Sequence, residues 1–215
     1  MTPTRLAADA LLFDNDGVLV DSGEAVERAW LRVASTYGLD ADALMSQVHG
    51  RPSRATIDEF VDPPRRAEAL ALVDRLELEW GDLVRPIPGA VDCVSSLPAG
   101  RWAIVTSGTT ALSTTRLRAA GVPVPPTLVT ADDVRRGKPH PDPYLAAAAG
   151  LGVAPGRCVV FEDAAAGVAA ARAAGVRWVV GVGPAASELE VDAAVADLRP
   201  VRFDGAAVVI ERSTA

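Results

Sequence analysis

The chain of 215 residues is 49% hydrophobic and 5% aromatic, with a net charge of −7. That is enough for one large domain, or one domain with an insert, around a core of Ala, Val and Leu, and it excludes a disordered chain. The acidic balance argues against nucleic acid or an anionic membrane as partner, and two cysteines, Cys93 and Cys158, exclude a disulfide framework. MTPTRLAADA lacks the apolar run of a signal peptide, and no later run is long enough to span a bilayer. A soluble protein of the reducing cytoplasm is expected.

In chain order, ALLF (10–13) reads as the first buried strand. Residues 22 to about 85 then show helical patterns without a convincing strand: SGEAVERAWLRVASTYG, DADALMSQVHG and a long stretch at 63–83. RPIPGA, with two prolines and a glycine, suits a hinge. Beyond it, RWAIVT (101–106), TLVT (127–130), CVVF (158–161) and VRWVVGV (176–182) read as strands, with helical stretches at 89–97, 109–120, 141–150 and 164–174. Gly121, Gly150 and Gly175 stand where helices stop. The alternation implies a parallel sheet wrapped by helices on both faces. VRFDGAAVVI, with a DG turn between apolar flanks, reads as a hairpin. The expected organisation is a core from residues 1–20 and 87–215 and an all-helical insert at 21–86.

Chemistry-bearing residues collect where these strands end. Asp14, Asp16 and Gly17 follow ALLF directly, at the edge where open α/β sheets bind ligands. Two carboxylates two residues apart can present a nucleophile and an acid/base; the ordinary alternative is a turn with solvated acids. Thr106, Ser107 and Gly108 precede a helix whose start at Thr109 and Thr110 offers backbone N–H groups to an anion, or is simply a capped helix. Lys138 is the only lysine among 21 basic side chains, in the loop GKPHPDPY. Arginine and lysine are not equivalent where a compact ammonium must approach a phosphate, although a lone lysine can equally be a solvated one. Glu162 and Asp163 follow CVVF and could hold a hard divalent cation or cap the next helix. Each alternative is reasonable alone, but four such segments at four strand ends point to one site.

FDNDGVLVDS, VTSG, RGKPHPDPY and VVFEDAAAGVAAARAAG resemble the four motifs of the haloacid dehalogenase-like hydrolase superfamily, over about residues 9–183. The insert resembles its small helical cap. The resemblance implies an α/β fold: a Rossmann-like parallel sheet with helices on both faces and a helical cap inserted after the first strand. HGRPS and TADDVRRGKPHPDPY look most like the sugar phosphatase branch, whose members act on hexitol, deoxyglucose and glycerol phosphates. It implies that Asp14 is the nucleophile forming an aspartyl phosphate and that Asp16 is the acid/base. Thr106, Ser107, Gly108 and Lys138 would hold the phosphoryl oxygens. Mg²⁺ would be bound by the Asp14 carboxylate, the Asp16 carbonyl and Asp163, with Glu162 in support. A monomer acting on a small-molecule phosphate monoester is implied. Asn15 departs from the family, which usually has an apolar residue there, and its side chain is expected to point away from the phosphate.

Membership leaves the reaction open. Dehalogenases lack the second aspartate, and phosphonatases need a cap lysine that is absent here. A β-phosphoglucomutase-like mutase is the alternative reading, but that family carries a histidine in its first cap helix where this chain has Val26. A non-catalytic binding module would usually have lost Asp14 or Asp16. Selectivity for the leaving group is expected from the cap segment 48–54, through His49, Gly50, Arg51 and, with an equally good case for a solvated side chain, Arg54.

Overall fold

The computed structural model describes residues 3–48 and 52–211. The strands are β1 (Thr4–Ala7), β2 (Ala10–Phe13), β3 (Val20–Asp21), β4 (Arg85–Pro86), β5 (Trp102–Val105), β6 (Leu128–Val129), β7 (Cys158–Glu162), β8 (Trp178–Val182), β9 (Ala193–Val195), β10 (Val201–Phe203) and β11 (Ala207–Ile210). The helices are α1 (Gly23–Tyr37), α2 (Ala41–Met45), α3 (Ser53–Phe60), α4 (Arg66–Glu79), α5 (Ala90–Ser95), α6 (Thr110–Ala119), α7 (Asp142–Gly150) and α8 (Ala165–Ala173).

Six strands form a parallel sheet in the order β6-β5-β2-β7-β8-β9. Its central strands are buried along their whole length, as ALLF, WAIV and CVVFE require of a sheet covered on both faces. Strand alternation divides the core in two. Leu11, Phe13, Ile104, Val159 and Phe161 face α5 and α6, while Ala10, Leu12, Val105, Val160 and Val179 face α7 and α8. The second face is lined largely by alanine, so helices pack closely on the sheet with few aromatics. On the first, Phe13 stacks on Phe161 with centroids 4.6 Å apart and meets Trp102 edge-on. Among the described residues, no helix is long and apolar enough to cross a membrane.

The structure corrects several details of the sequence reading. ALLF is the second strand of the chain; β1 precedes it and pairs antiparallel with β11, making a three-stranded sheet with the expected hairpin β10–β11. β1 contributes one buried residue, too little to show as a pattern. β9 extends the main sheet beyond the last expected strand. The hinge is itself paired: Val20 lies opposite Pro86 and Asp21 opposite Arg85, so both crossings into the helical segment run side by side. The left-handed residue after α7 is Gly152, not Gly150. Helices α1–α4 enclose a separate apolar cluster around Trp30, Leu44, Ile57 and Val73.

Leu11 is fully buried in the central strand, and removing its side chain leaves a cavity walled by sheet and helix. Leu11→Ala is expected to destabilise by about 2–5 kcal/mol. Leu145→Ala, at a position 42% exposed, should change stability by less than about 0.5 kcal/mol. Thermal or denaturant unfolding of the two variants checks the assignment of the core.

Candidate active site

The order of the main sheet reverses at β2. The chain moves outward through β5 and β6, then returns to the other side of β2 with β7. The carboxyl ends of β2, β5 and β7 therefore lie together, at the switch point where such sheets bind ligands. A cavity of about 280 Å³ opens there, lined by Asp14, Asp16, Thr106, Ser107, Lys138 and Asp163 among others.

Each loop is fixed locally. The Asp14 N–H donates to the Phe161 carbonyl across the strand pair, and the amides of Leu19 and Val20 fold back on the Asn15 carbonyl. Gly17, at φ +81°, brings this loop against Asp163, where a Cβ would stand 1.9 Å from the Asp163 carboxylate. Glu162, the last residue of β7, lies flat on α8 because residue 167 is glycine: a Cβ there would fall 1.6 Å from Glu162 Oε1.

Lys138 is buried, which removes the reading of a solvated surface lysine. Its Nζ donates to Asp14 Oδ1 at 2.6 Å, to Glu162 Oε1 at 2.6 Å and to the Val105 carbonyl at 3.0 Å. Burial pulls this ammonium down, but Asp14 and Glu162 more than offset it and hold Lys138 above its ordinary range. Glu162 Oε1 also accepts from the Tyr144 hydroxyl at 2.7 Å, and Oε2 accepts the backbone N–H groups of Asp163 and Ala164. Glu162 thus clamps the lysine and caps the start of α8 together.

Asp14, Glu162 and Asp163 each offer an oxygen within 4.8 Å of the others. Burial pushes the Asp14 carboxyl well above the usual range, Lys138 opposing and Glu162 and Asp163 adding to it. Burial, then Glu162, pushes Asp163 up to about 7. Three carboxylates share one ammonium, so the cluster holds more negative charge than its own cation balances. An all-oxygen donor set with that excess fits a hard divalent cation. Glu162, with four hydrogen bonds already accepted, has less to offer such an ion than Asp14 and Asp163.

The remaining expected residues divide. Thr106 is buried, and its Oγ1 accepts the Gly108 N–H at 3.0 Å, which turns the loop so that Ser107 and Gly108 line the cavity. The Thr110 N–H is not free for a bound anion; it donates to the Asp132 carboxylate at 2.8 Å. Asp16 Oδ1 accepts from Ser22 Oγ at 2.6 Å and from Arg116 Nη1 at 2.8 Å. Asn15 is fully buried and is not among the residues lining the cavity, and its amide donates to Asp16 Oδ2 at 3.2 Å. Arg54 is exposed on α3 with its charge beside Asp74, and it is Ser53 and Val48 that reach the cavity wall. His49, Gly50 and Arg51 lie outside the described residues.

Tyr144, Gly167, Ser22, Arg116 and Glu77 belong to the site but were not singled out from the sequence. Tyr144 and Gly167 stand inside motifs that were recognised, GKPHPDPY and EDAAAGV, and Ser22 closes FDNDGVLVDS. Arg116 and Glu77 carry no local signal, since each is one charge on an ordinary helical stretch.

Residues 8–175 match the family described as haloacid dehalogenase-like hydrolase. Hexitol phosphatase A of Escherichia coli (strain K12) is 43% identical over 179 residues, covering 81% of this chain and 83% of that protein. A hydrolase from Pseudomonas syringae superposes with a TM-score of 0.78 at 25% identity, over 88% of this chain and 94% of that one. A putative β-phosphoglucomutase from Thermotoga maritima gives 0.66 at 29% identity, over 87% and 94%. With its motifs assembled at the sheet's switch point and the match covering most of its length, the chain belongs to the haloacid dehalogenase-like hydrolase family.

Proposed function

We propose that the chain is a Mg²⁺-dependent phosphoric monoester hydrolase acting on a small phosphorylated sugar or polyol through an aspartyl phosphate on Asp14. The observation that carries this reading is the buried Asp14–Lys138–Glu162 cluster facing the cavity, one ammonium among carboxylates with Asp163 beside them. The 43% identity to hexitol phosphatase A supports the substrate class. So does the cavity, whose 280 Å³ falls just below the roughly 300–1,000 Å³ of typical ligand pockets and suits a small leaving group.

Asp14 is the nucleophile because its carboxylate is withdrawn from water and held beside Lys138. Lys138, with Ser107 and Gly108 on the cavity wall, neutralises and binds the phosphoryl oxygens, and Thr106 holds that loop in shape. Asp16 gives a proton to the departing alkoxide and takes one from the water that hydrolyses the phosphoenzyme. Asp14, Asp163 and the Asp16 carbonyl would hold the magnesium ion. When bound, it supplies the positive charge that lets a carboxylate approach a dianion. Glu162 serves as the clamp of Lys138.

Residues 21–86 form the cap over a core of 1–20 and 87–215, a division supported by the paired hinge and the separate apolar cluster of the helices. His49, Gly50 and Arg51 provide leaving-group selectivity from the cap, while Arg54, exposed with its charge beside Asp74, takes the solvated reading. The reading extends to a cytoplasmic monomer, with Cys93 and Cys158 free and buried. The mutase reading keeps support from the β-phosphoglucomutase neighbour. Val26, which lines the cavity where that family has a histidine, favours hydrolysis.

Phosphate release from a panel of hexose, hexitol and glycerol phosphates should require Mg²⁺ and stop on chelation. Asp14→Asn should lower turnover at least about 10³-fold while the protein stays folded. A phosphoenzyme trapped on another residue, or isomerisation of a sugar phosphate without phosphate release, overturns the reading.

Gly167→Ala should press on Glu162 and displace Lys138, lowering kcat on every phosphate monoester alike, whatever the leaving group. Lys138→Met should do the same more severely. Steady-state kinetics on alkyl and aryl phosphates, with unfolding curves as control, check this.

A further inference from the structure

Arg116 projects from α6 with its side chain 5% exposed, between two carboxylates from different parts of the fold. Its Nη1 donates to Asp16 Oδ1 at 2.8 Å. Its Nη2 lies 3.5 Å from Oε2 of Glu77, a residue of α4 with a side chain 4% exposed. Among the described residues, Nη2 and Nε have no hydrogen-bond acceptor. The Trp30 side chain of α1 also faces Glu77, so the helical segment meets it from two helices.

A buried guanidinium normally uses most of its five N–H groups, and the fork suits a bidentate grip on one carboxylate. Here one bond goes to the core and the charge facing the helical segment is incompletely engaged. A displacement of α4 towards α6 of under 1 Å would bring Glu77 Oε2 into hydrogen-bond range. The opposite displacement leaves Arg116 to Asp16 alone. Arg116 therefore responds to where α4 sits, and Asp16 responds to Arg116, because among the described residues Oδ1 has only Ser22 as its other partner. Asn15 steadies Oδ2 from beneath.

We propose that Arg116 is a positioning residue for Asp16, and that Glu77 acts through Arg116 to tie the position of that carboxyl to the seating of the helical segment. The inference rests on the phosphatase reading, in which Asp16 protonates the leaving group. Neither Arg116 nor Glu77 touches the phosphoryl group in this scheme. Their effect falls on the step that needs a proton.

Glu77→Gln keeps the shape and an acceptor for Trp30 but removes the charge that engages Arg116. It should lower kcat for an alkyl monoester such as glycerol 1-phosphate at least about tenfold, a fraction of the 10²–10⁴ that general acid–base catalysis contributes. The pre-steady-state burst of p-nitrophenol from p-nitrophenyl phosphate, which forms the phosphoenzyme without a proton to the leaving group, should change less than about twofold, while the later hydrolysis of the phosphoenzyme, which also uses Asp16, slows for both substrates. Arg116→Lys, which keeps the charge but loses the fork, should shift the alkyl-to-aryl ratio in the same direction and serves where Glu77→Gln does not fold. A parallel loss in phosphoenzyme formation from both substrates, or no loss with either, overturns the inference. A wild-type protein without monoesterase activity overturns the phosphatase reading, and this inference with it.

Discussion

The constraint on which the rest depends is the burial of one ammonium among three carboxylates. Removing such charges from water costs several kcal/mol per ion, and the cost is offset only where partners are close and well oriented. Lys138 meets that condition with three acceptors, each supplied by a different segment: the loop after β2, the end of β5 and the end of β7. The cluster is therefore satisfied only when those segments are in register. Burial first, and the neighbouring carboxylates after it, push Asp14 and Asp163 upward, so a cation seated among them would favour their ionised forms.

Register is enforced from below the site. Phe13 precedes Asp14 and Phe161 precedes Glu162, and the two rings stack on the same face of the sheet. The Asp14 amide then closes on the Phe161 carbonyl. An aromatic pair within the apolar core thus sets the spacing of the two acids above it, where a polar network alone would have several arrangements of similar energy. The mostly alanine face opposite lets α7 and α8 come close, which brings the Tyr144 hydroxyl and the bare backbone of Gly167 onto Glu162.

The parallel sheet, its helical insert and the four clustered motifs were legible because each rests on local signals: buried apolar runs, a helical period, and polar residues at strand ends. β1 and β9 were not, because strands of four and three residues with one buried position each leave no period to read. The Asp14, Lys138 and Glu162 positions were identifiable, but the division of labour between Glu162 and Asp163 was not. That division depends on which acid the Tyr144 hydroxyl and the amides of residues 163 and 164 reach. Arg116 was invisible for a similar reason, since its partners are 100 residues away in Asp16 and on another helix in Glu77. The bond from Asn15 to Asp16 was not legible either, because the apolar residue usual at its position has no hydrogen bond to give, whereas this amide has one.

The single lysine has a consequence for covalent chemistry. Acyl donors, cyanate and reducing sugars attack unprotonated side-chain amines, and in this chain the only such amine is Lys138 Nζ. It is shielded from solvent, occupied by three acceptors and held protonated by the carboxylates on either side. Lys138 is thereby protected in the folded protein from carbamylation and acetylation, which would neutralise the one ammonium of the site, and from glycation, which would enlarge it. Arginine elsewhere on the surface keeps the chain's positive charges without offering those reagents a second nucleophile.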